Sequence, residues 1–166
     1  MIERRSEIDG LRAIAIVPVI LFHAGFDTFK GGFIGVDIFF VISGYLITNI
    51  ILNNIKNNEY NFFSFLERRA RRLLPALLLV SVAILPFAWT IFPPKQLLTF
   101  SDSLLSVVSF SSNIFFWREH NYFNTLSSLK PLLHTWSLSV EWQFYFLFSI
   151  FVLFYNKIKV KYFISI

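Results

Sequence analysis

Residues 73–92 contain no charged side chain, and about 20 such residues in succession match the thickness of a bilayer's hydrocarbon core. In hydrocarbon every backbone N–H and C=O must be satisfied internally, so a chain built from such runs folds as membrane-crossing helices. Three further segments have comparable length and hydropathy. Residues 11–26 form a short one carrying Arg12 and His23. Residues 33–51 follow Gly31 and Gly32 and hold Asp37, Ser43 and Gly44. Residues 132–155 enclose Glu141. The expected architecture is an all-α polytopic bundle of about four spans, 11–26, 33–51, 73–92 and 132–155, with Pro86 as a kink in the third. Residues 97–117 are apolar but interrupted by Ser101, Asp102, Ser103, Ser106, Ser109, Ser111, Ser112 and Asn113. They are expected to form a re-entrant or interfacial helix rather than a lipid-exposed span. Residues 53–61 are expected to be a polar loop.

Composition supports this class. Of the 166 residues, 55% are hydrophobic and 15% charged, against about 45–50% and 25% in soluble domains. The absence of Cys excludes disulfides, thiolate metal sites and cysteine nucleophiles. A formal charge of +5 would suit a nucleic-acid partner, but the basic residues sit beside the apolar runs, as the positive-inside rule requires, and no nucleic-acid partner is expected. With four spans and the amino terminus inside, 11 of the 15 basic residues are cytoplasmic, so both ends are expected on the cytoplasmic side. The first span is expected to be retained rather than cleaved as a signal, because Arg12 lies at its start and it ends in HAGFD.

A carboxylate in a span costs about 2.5–3.5 kcal/mol on insertion scales, which makes Glu141 a functional candidate. On a helix His134, Ser137, Glu141 and Tyr145 follow spacings of three and four and share one stripe. Arg12 and His23 are eleven residues apart, which returns them to nearly one face about 16 Å apart along the axis. Histidine serves as a general base at neutral pH, and arginine clamps phosphate or carboxylate. A snorkelling cation and a helix-end histidine explain the same pair. The run Arg68, Arg69, Arg71, Arg72 offers guanidinium forks to a multiply phosphorylated molecule; setting topology and binding lipid headgroups is the plainer account. Gly32, Gly35, Ser43 and Gly44 allow close helix approach. Asp37 either pairs with a cation or histidine, or complements the helix dipole. Trp117, Arg118, His120 and Tyr122 suit a carbohydrate, an anionic headgroup or an interfacial aromatic belt. No GxSxG elbow, nucleotide loop or metal-ligand spacing is present, and no metal is expected.

Four motifs, IDGLRAIAIVPVILFHA, GGFIGVDIFFVISGYLIT, FLERRARRLLP and PLLHTWSLSVEWQFY, occur in the order found in the membrane acyltransferase-3 family, and the chain resembles that family over nearly its whole length. The resemblance implies an integral-membrane O-acyltransferase that moves an acyl group, most simply acetyl, from cytoplasmic acyl-CoA to a hydroxyl of an extracytoplasmic glycan such as lipopolysaccharide O-antigen or peptidoglycan. It implies a bacterial inner-membrane location and acyl-CoA as donor substrate rather than resident cofactor. By that resemblance Arg68, Arg69, Arg71 and Arg72, with Arg12, would meet the CoA phosphates. His23 would deprotonate the acceptor or carry the acyl group, and Glu141 would hold the imidazole tautomer or position the acceptor. Asp37, Ser43, Arg118, His120, His134, Ser137 and Tyr145 would line the substrate path.

Domains of this family usually hold about ten helices, so the chain is expected to be the amino-terminal part of such a domain. The missing partners would be further membrane helices and an extracytoplasmic hydrolase-like domain. A proton-coupled transporter and an inactive truncated bundle use the same residue types and stand as alternatives.

Overall fold

The computed structural model describes residues 6–119 and 130–163, with side chains described to residue 155. The described residues are helical, without strands. The chain divides into two compact units, Met1–Tyr60 and Asn61–Ile166.

The first unit pairs α1 (Ser6–His23) with α2 (Gly35–Lys56) through two short 3-10 turns, Asp27–Phe29 and Gly32–Ile34. Helix α1 ends three residues before the expected limit because Gly25, at φ 84°, closes it. The amide of Gly25 donates to Phe22 O (3.1 Å) and that of Phe26 to Leu21 O (3.1 Å), a paired bond that satisfies the last carbonyls of a helix. The return into α2 brings backbones into contact. A Cβ on Gly32 would collide with the Pro18 carbonyl, and one on Gly35 with the Ala15 carbonyl. Ala15, Gly32 and Gly35 are all buried at this crossing, so small residues set the approach.

Helix α2 continues past residue 51 to Lys56, so the loop expected over 53–61 begins only at Asn57. Asn58 ends the helix at φ 58°. Its amide donates to Ile55 O (3.0 Å) and that of Glu59 to Asn54 O (2.8 Å), the same closure with Asn in place of Gly.

The second unit holds α3 (Phe62–Ile91), α4 (Pro94–Val108), α5 (Ser112–Arg118) and α6 (Thr135–Phe163). Asn61 caps α3, its side chain accepting from Ser64 N at 2.9 Å. Pro75 and Pro86 lie within α3, and Pro94 opens α4, where a missing N–H costs nothing. The core gathers Leu77, Ala88, Phe100, Val107, Phe110, Phe116, Leu132 and Leu133.

The apolar stretch expected as one helix over 97–117 is two, broken at Ser109–Ser111. Phe110 takes φ 51°, and its amide and that of Ser111 donate to Val107 O (3.1 Å) and Ser106 O (2.8 Å). A left-handed aromatic residue costs about 1–3 kcal/mol. Here the Phe110 ring stacks on Trp142 (4.6 Å, 18°), and its carbonyl accepts from Gln143 Nε2 at 2.9 Å.

Three helices are long and apolar enough to cross a membrane by length and composition: Gly32–Lys56, Phe62–Ile91 and Thr135–Tyr155. Three of the four expected spans are among these, and α1 is not. Helix α1 falls short because Glu7, Asp9 and Arg12 occupy the first half of its 18 residues.

Candidate active site

Within the second unit α3 lies against α6, and the contact is aromatic. Phe62 meets Phe146 edge-on at 6.0 Å, and Phe65 meets Tyr145 at 6.4 Å. Phe65 is fully buried and Tyr145 is 5% exposed. The Tyr145 hydroxyl donates to Glu141 Oε1 one turn earlier, so the costly carboxylate has a buried donor. Arg69 completes the group. Its guanidinium lies 5.5 Å from the Phe65 ring and 5.9 Å from the Tyr145 ring, where cation–π attraction is worth about 0.5–2 kcal/mol. Its Nε is buried without a hydrogen-bond partner.

The arginine run is thereby split. Arg69 turns inward, while Arg68, Arg71 and Arg72 stay exposed. Arg71 is engaged by Glu67, its Nε and Nη2 donating to Oε1 at 3.0 and 2.7 Å, a surface pair of small net value. Arg68 and Arg72, four residues apart, share an outward face on which two guanidiniums can meet an anionic group.

In the first unit Arg12 and His23 share α1 as their spacing requires. The half-buried Arg12 guanidinium lies 5.2 Å from the Phe39 ring, and its Nε is likewise buried without a hydrogen-bond partner. His23 is the last residue of α1, exposed, with Nδ1 2.8 Å from Val19 O. A carbonyl only accepts, so in the neutral ring Nδ1 carries the proton and Nε2 the lone pair. The His23 ring also meets Phe22 edge-on at 4.9 Å. Asp37 is exposed in the first turn of α2, where the helix dipole favours a carboxylate. Ser43 is buried in the same helix.

His134 precedes α6 rather than lying in it. It is exposed, and its carbonyl accepts from Ser137 Oγ at 3.1 Å. Arg118 is exposed at the end of α5. His120 and Tyr122 fall outside the described residues. Among the described residues no group of His, Asp and Glu is arranged to hold a metal ion.

A second polar stripe on α6 was missed. Thr135, Ser139 and Gln143 recur every four residues, on the side of the helix away from Ser137, Glu141 and Tyr145. Ser139 Oγ is 2.7 Å from Ser112 Oγ and also accepts from Ser112 N at 3.3 Å. Thr135 Oγ1 donates to Ser112 Oγ at 3.1 Å. The Asn113 and Gln143 amides exchange two bonds of 3.0 Å. One face of α6 therefore anchors α5 while the other presents Glu141. The every-fourth spacing was the available signal.

A family model described as an acyltransferase domain matches residues 5–166. The chain belongs to the acyltransferase-3 family. It is 42% identical to the peptidoglycan O-acetyltransferase OatA of Listeria monocytogenes over 152 residues, covering 90% of this chain and 24% of that protein. It is 37% identical to the O-acetyltransferase OatA of Staphylococcus aureus strain NCTC 8325 over 149 residues, covering 89% of this chain and 24% of that protein. It is 41% identical to the putative peptidoglycan O-acetyltransferase YrhL of Bacillus subtilis over 148 residues, covering 87% of this chain and 23% of that protein. The chain thus spans about a quarter of the length of the curated relatives it matches. No solved structure matches it significantly.

Proposed function

We propose that this chain belongs to the membrane part of an O-acyltransferase that moves an acetyl group from cytoplasmic acyl-CoA to a hydroxyl of extracytoplasmic peptidoglycan. The single observation that carries the reading is the Glu141–Tyr145–Arg69 group on two span-length helices, in a chain whose family relatives are named for O-acetyl transfer. A carboxylate within an apolar span is costly and marks a functional position rather than a purely structural one.

In this reading the exposed Arg68 and Arg72 meet the CoA phosphates and, with Arg71, keep that end of α3 cytoplasmic. His23 Nε2 takes the proton of the acceptor hydroxyl as its oxygen bonds to the thioester carbonyl carbon. The carbon–sulfur bond then breaks, and the CoA thiolate recovers a proton from the imidazolium. The Glu141–Tyr145–Arg69 group, at the arginine end of α3, lines the entry of the donor. Both chain ends lie on the cytoplasmic side of the bacterial inner membrane, which requires α1 to cross as a fourth span. Its contact with α2 supports this, because Arg12 is sheltered against Phe39.

The test is acetyl transfer from labelled acetyl-CoA to peptidoglycan glycan by the full-length protein in membrane vesicles. A general base contributes about 10²–10⁴-fold, so His23→Ala is expected to lower transfer at least a hundredfold at equal expression. Undiminished transfer by that variant would overturn the assignment of His23. Uptake of a solute without any transfer would favour a transporter.

A further inference from the structure

A second site lies in the same unit, away from the Glu141 group. A cavity of about 420 Å³ opens between α4, α5 and the segment entering α6, within the range of roughly 300–1,000 Å³ typical of small-molecule sites. One wall is a polar stripe on α4, formed by Lys95, Gln96, Thr99 and Ser103 at helical spacing. The facing wall carries the rings of Phe115 and Phe116 and the ion pair of Glu119 with Lys130. The Thr99 and Ser103 hydroxyls donate to the carbonyls of Lys95 (3.3 Å) and Phe100 (2.6 Å), so their oxygens remain acceptors for a ligand's O–H.

Position along α3 says which side of the membrane the cavity faces. Arg72 and Phe92, which lines the cavity, are twenty residues apart across α3, about 30 Å of helix and one hydrocarbon thickness. The cavity therefore lies at the membrane face opposite the arginines. The lining combines flat apolar rings with short-range donors and acceptors. That combination matches a pyranose, whose C–H faces lie on aromatic rings while its hydroxyls bond to ammonium, carboxylate and amide groups. Two lysines against one glutamate leave one positive charge, which suits a sugar bearing a carboxylate.

We propose that this cavity is an acceptor subsite that holds a carboxylate-bearing sugar of the glycan strand before and during transfer. The proposal deepens the functional reading above and rests on its assignment of the arginine end of α3 to the cytoplasm.

Lys95 and Gln96 are exposed, so Lys95→Gln and Gln96→Ala are surface changes that leave folding intact, which the melting temperature in detergent would verify. Two measurements on the full-length protein separate the proposals: equilibrium binding of soluble peptidoglycan oligosaccharides without donor, and acetyl transfer with KM for each substrate. The subsite predicts that the double variant binds oligosaccharide at least tenfold more weakly. Acceptor KM should rise by a similar factor while the KM for acetyl-CoA holds. Lys95→Arg should restore binding to near the wild-type level. Unchanged oligosaccharide binding in the double variant overturns the subsite, whatever happens to transfer. Wild-type binding that depends on Lys95 and Gln96, without transfer, upholds the subsite and overturns the catalytic reading. A wild-type protein that neither binds nor transfers overturns both.

Discussion

At the scale of single residues, the chemistry concentrates on a carboxylate made tolerable by its neighbours. Glu141 is expensive in a span, and its spacing to Tyr145 is readable directly from the chain. The hydroxyl of Tyr145 supplies the hydrogen bond, and the ring of Tyr145 is in turn covered by Arg69. A hydrogen bond to a charged group contributes about 1.5–3 kcal/mol, so Tyr145→Phe is expected to reduce acetyl transfer by roughly 10- to 100-fold. The ring and its contact with Phe65 would remain, so expression and melting temperature should change little. Equal losses of transfer and of folded protein would show that Tyr145 is structural only. The inward turn of Arg69 was not readable from the run itself. Four arginines in five positions look alike until an aromatic pocket on another helix selects one of them.

At the scale of elements, helix ends explain most departures from expectation. Gly25, Asn58 and Phe110 close three helices with the same pair of backbone bonds. Gly and Asn enter the left-handed region cheaply, and both endings carry a sequence cue. Phe does not, so the break between α4 and α5 is imposed from outside, by the Trp142 ring and the Gln143 amide on α6. Gln143→Leu would strand the Phe110 carbonyl and the Asn113 amide together. Leaving such groups unsatisfied costs about 1–3 kcal/mol, and thermal unfolding in detergent should show a lower midpoint. An unchanged midpoint would mean that water replaces the lost bonds. Most serines of 97–113 turn back onto carbonyls of the preceding turn. Ser112 instead meets Ser139 and Thr135, a contact that depends on where α6 lies.

At the scale of the whole molecule, the open question is which face of the membrane each end of each helix occupies. The chain has no cysteine, so single cysteines in this region can be placed against a clean background. With α1 crossing, Asp27→Cys in the turn between α1 and α2 should react with an impermeant thiol reagent in intact cells. Asn57→Cys, just past α2, should react only after permeabilisation. The reverse pattern, or equal labelling of both, would overturn the proposed orientation and with it the outward placement of the α4–α5 cavity. Hydropathy and charge position were sufficient for the class of the molecule, the location of α2, α3 and α6, and the candidacy of Glu141, His23 and the arginines. Those properties depend on local composition, helical period and the cost of burying charge, all of which a linear chain displays. The split of the arginine run, the partner of the second polar face of α6 and the cavity wall needed the tertiary structure. Each joins segments far apart in sequence, Phe65 with Tyr145, Ser112 with Ser139, and Lys95 and Lys130 around one cavity, and only packing decides which distant segments come together.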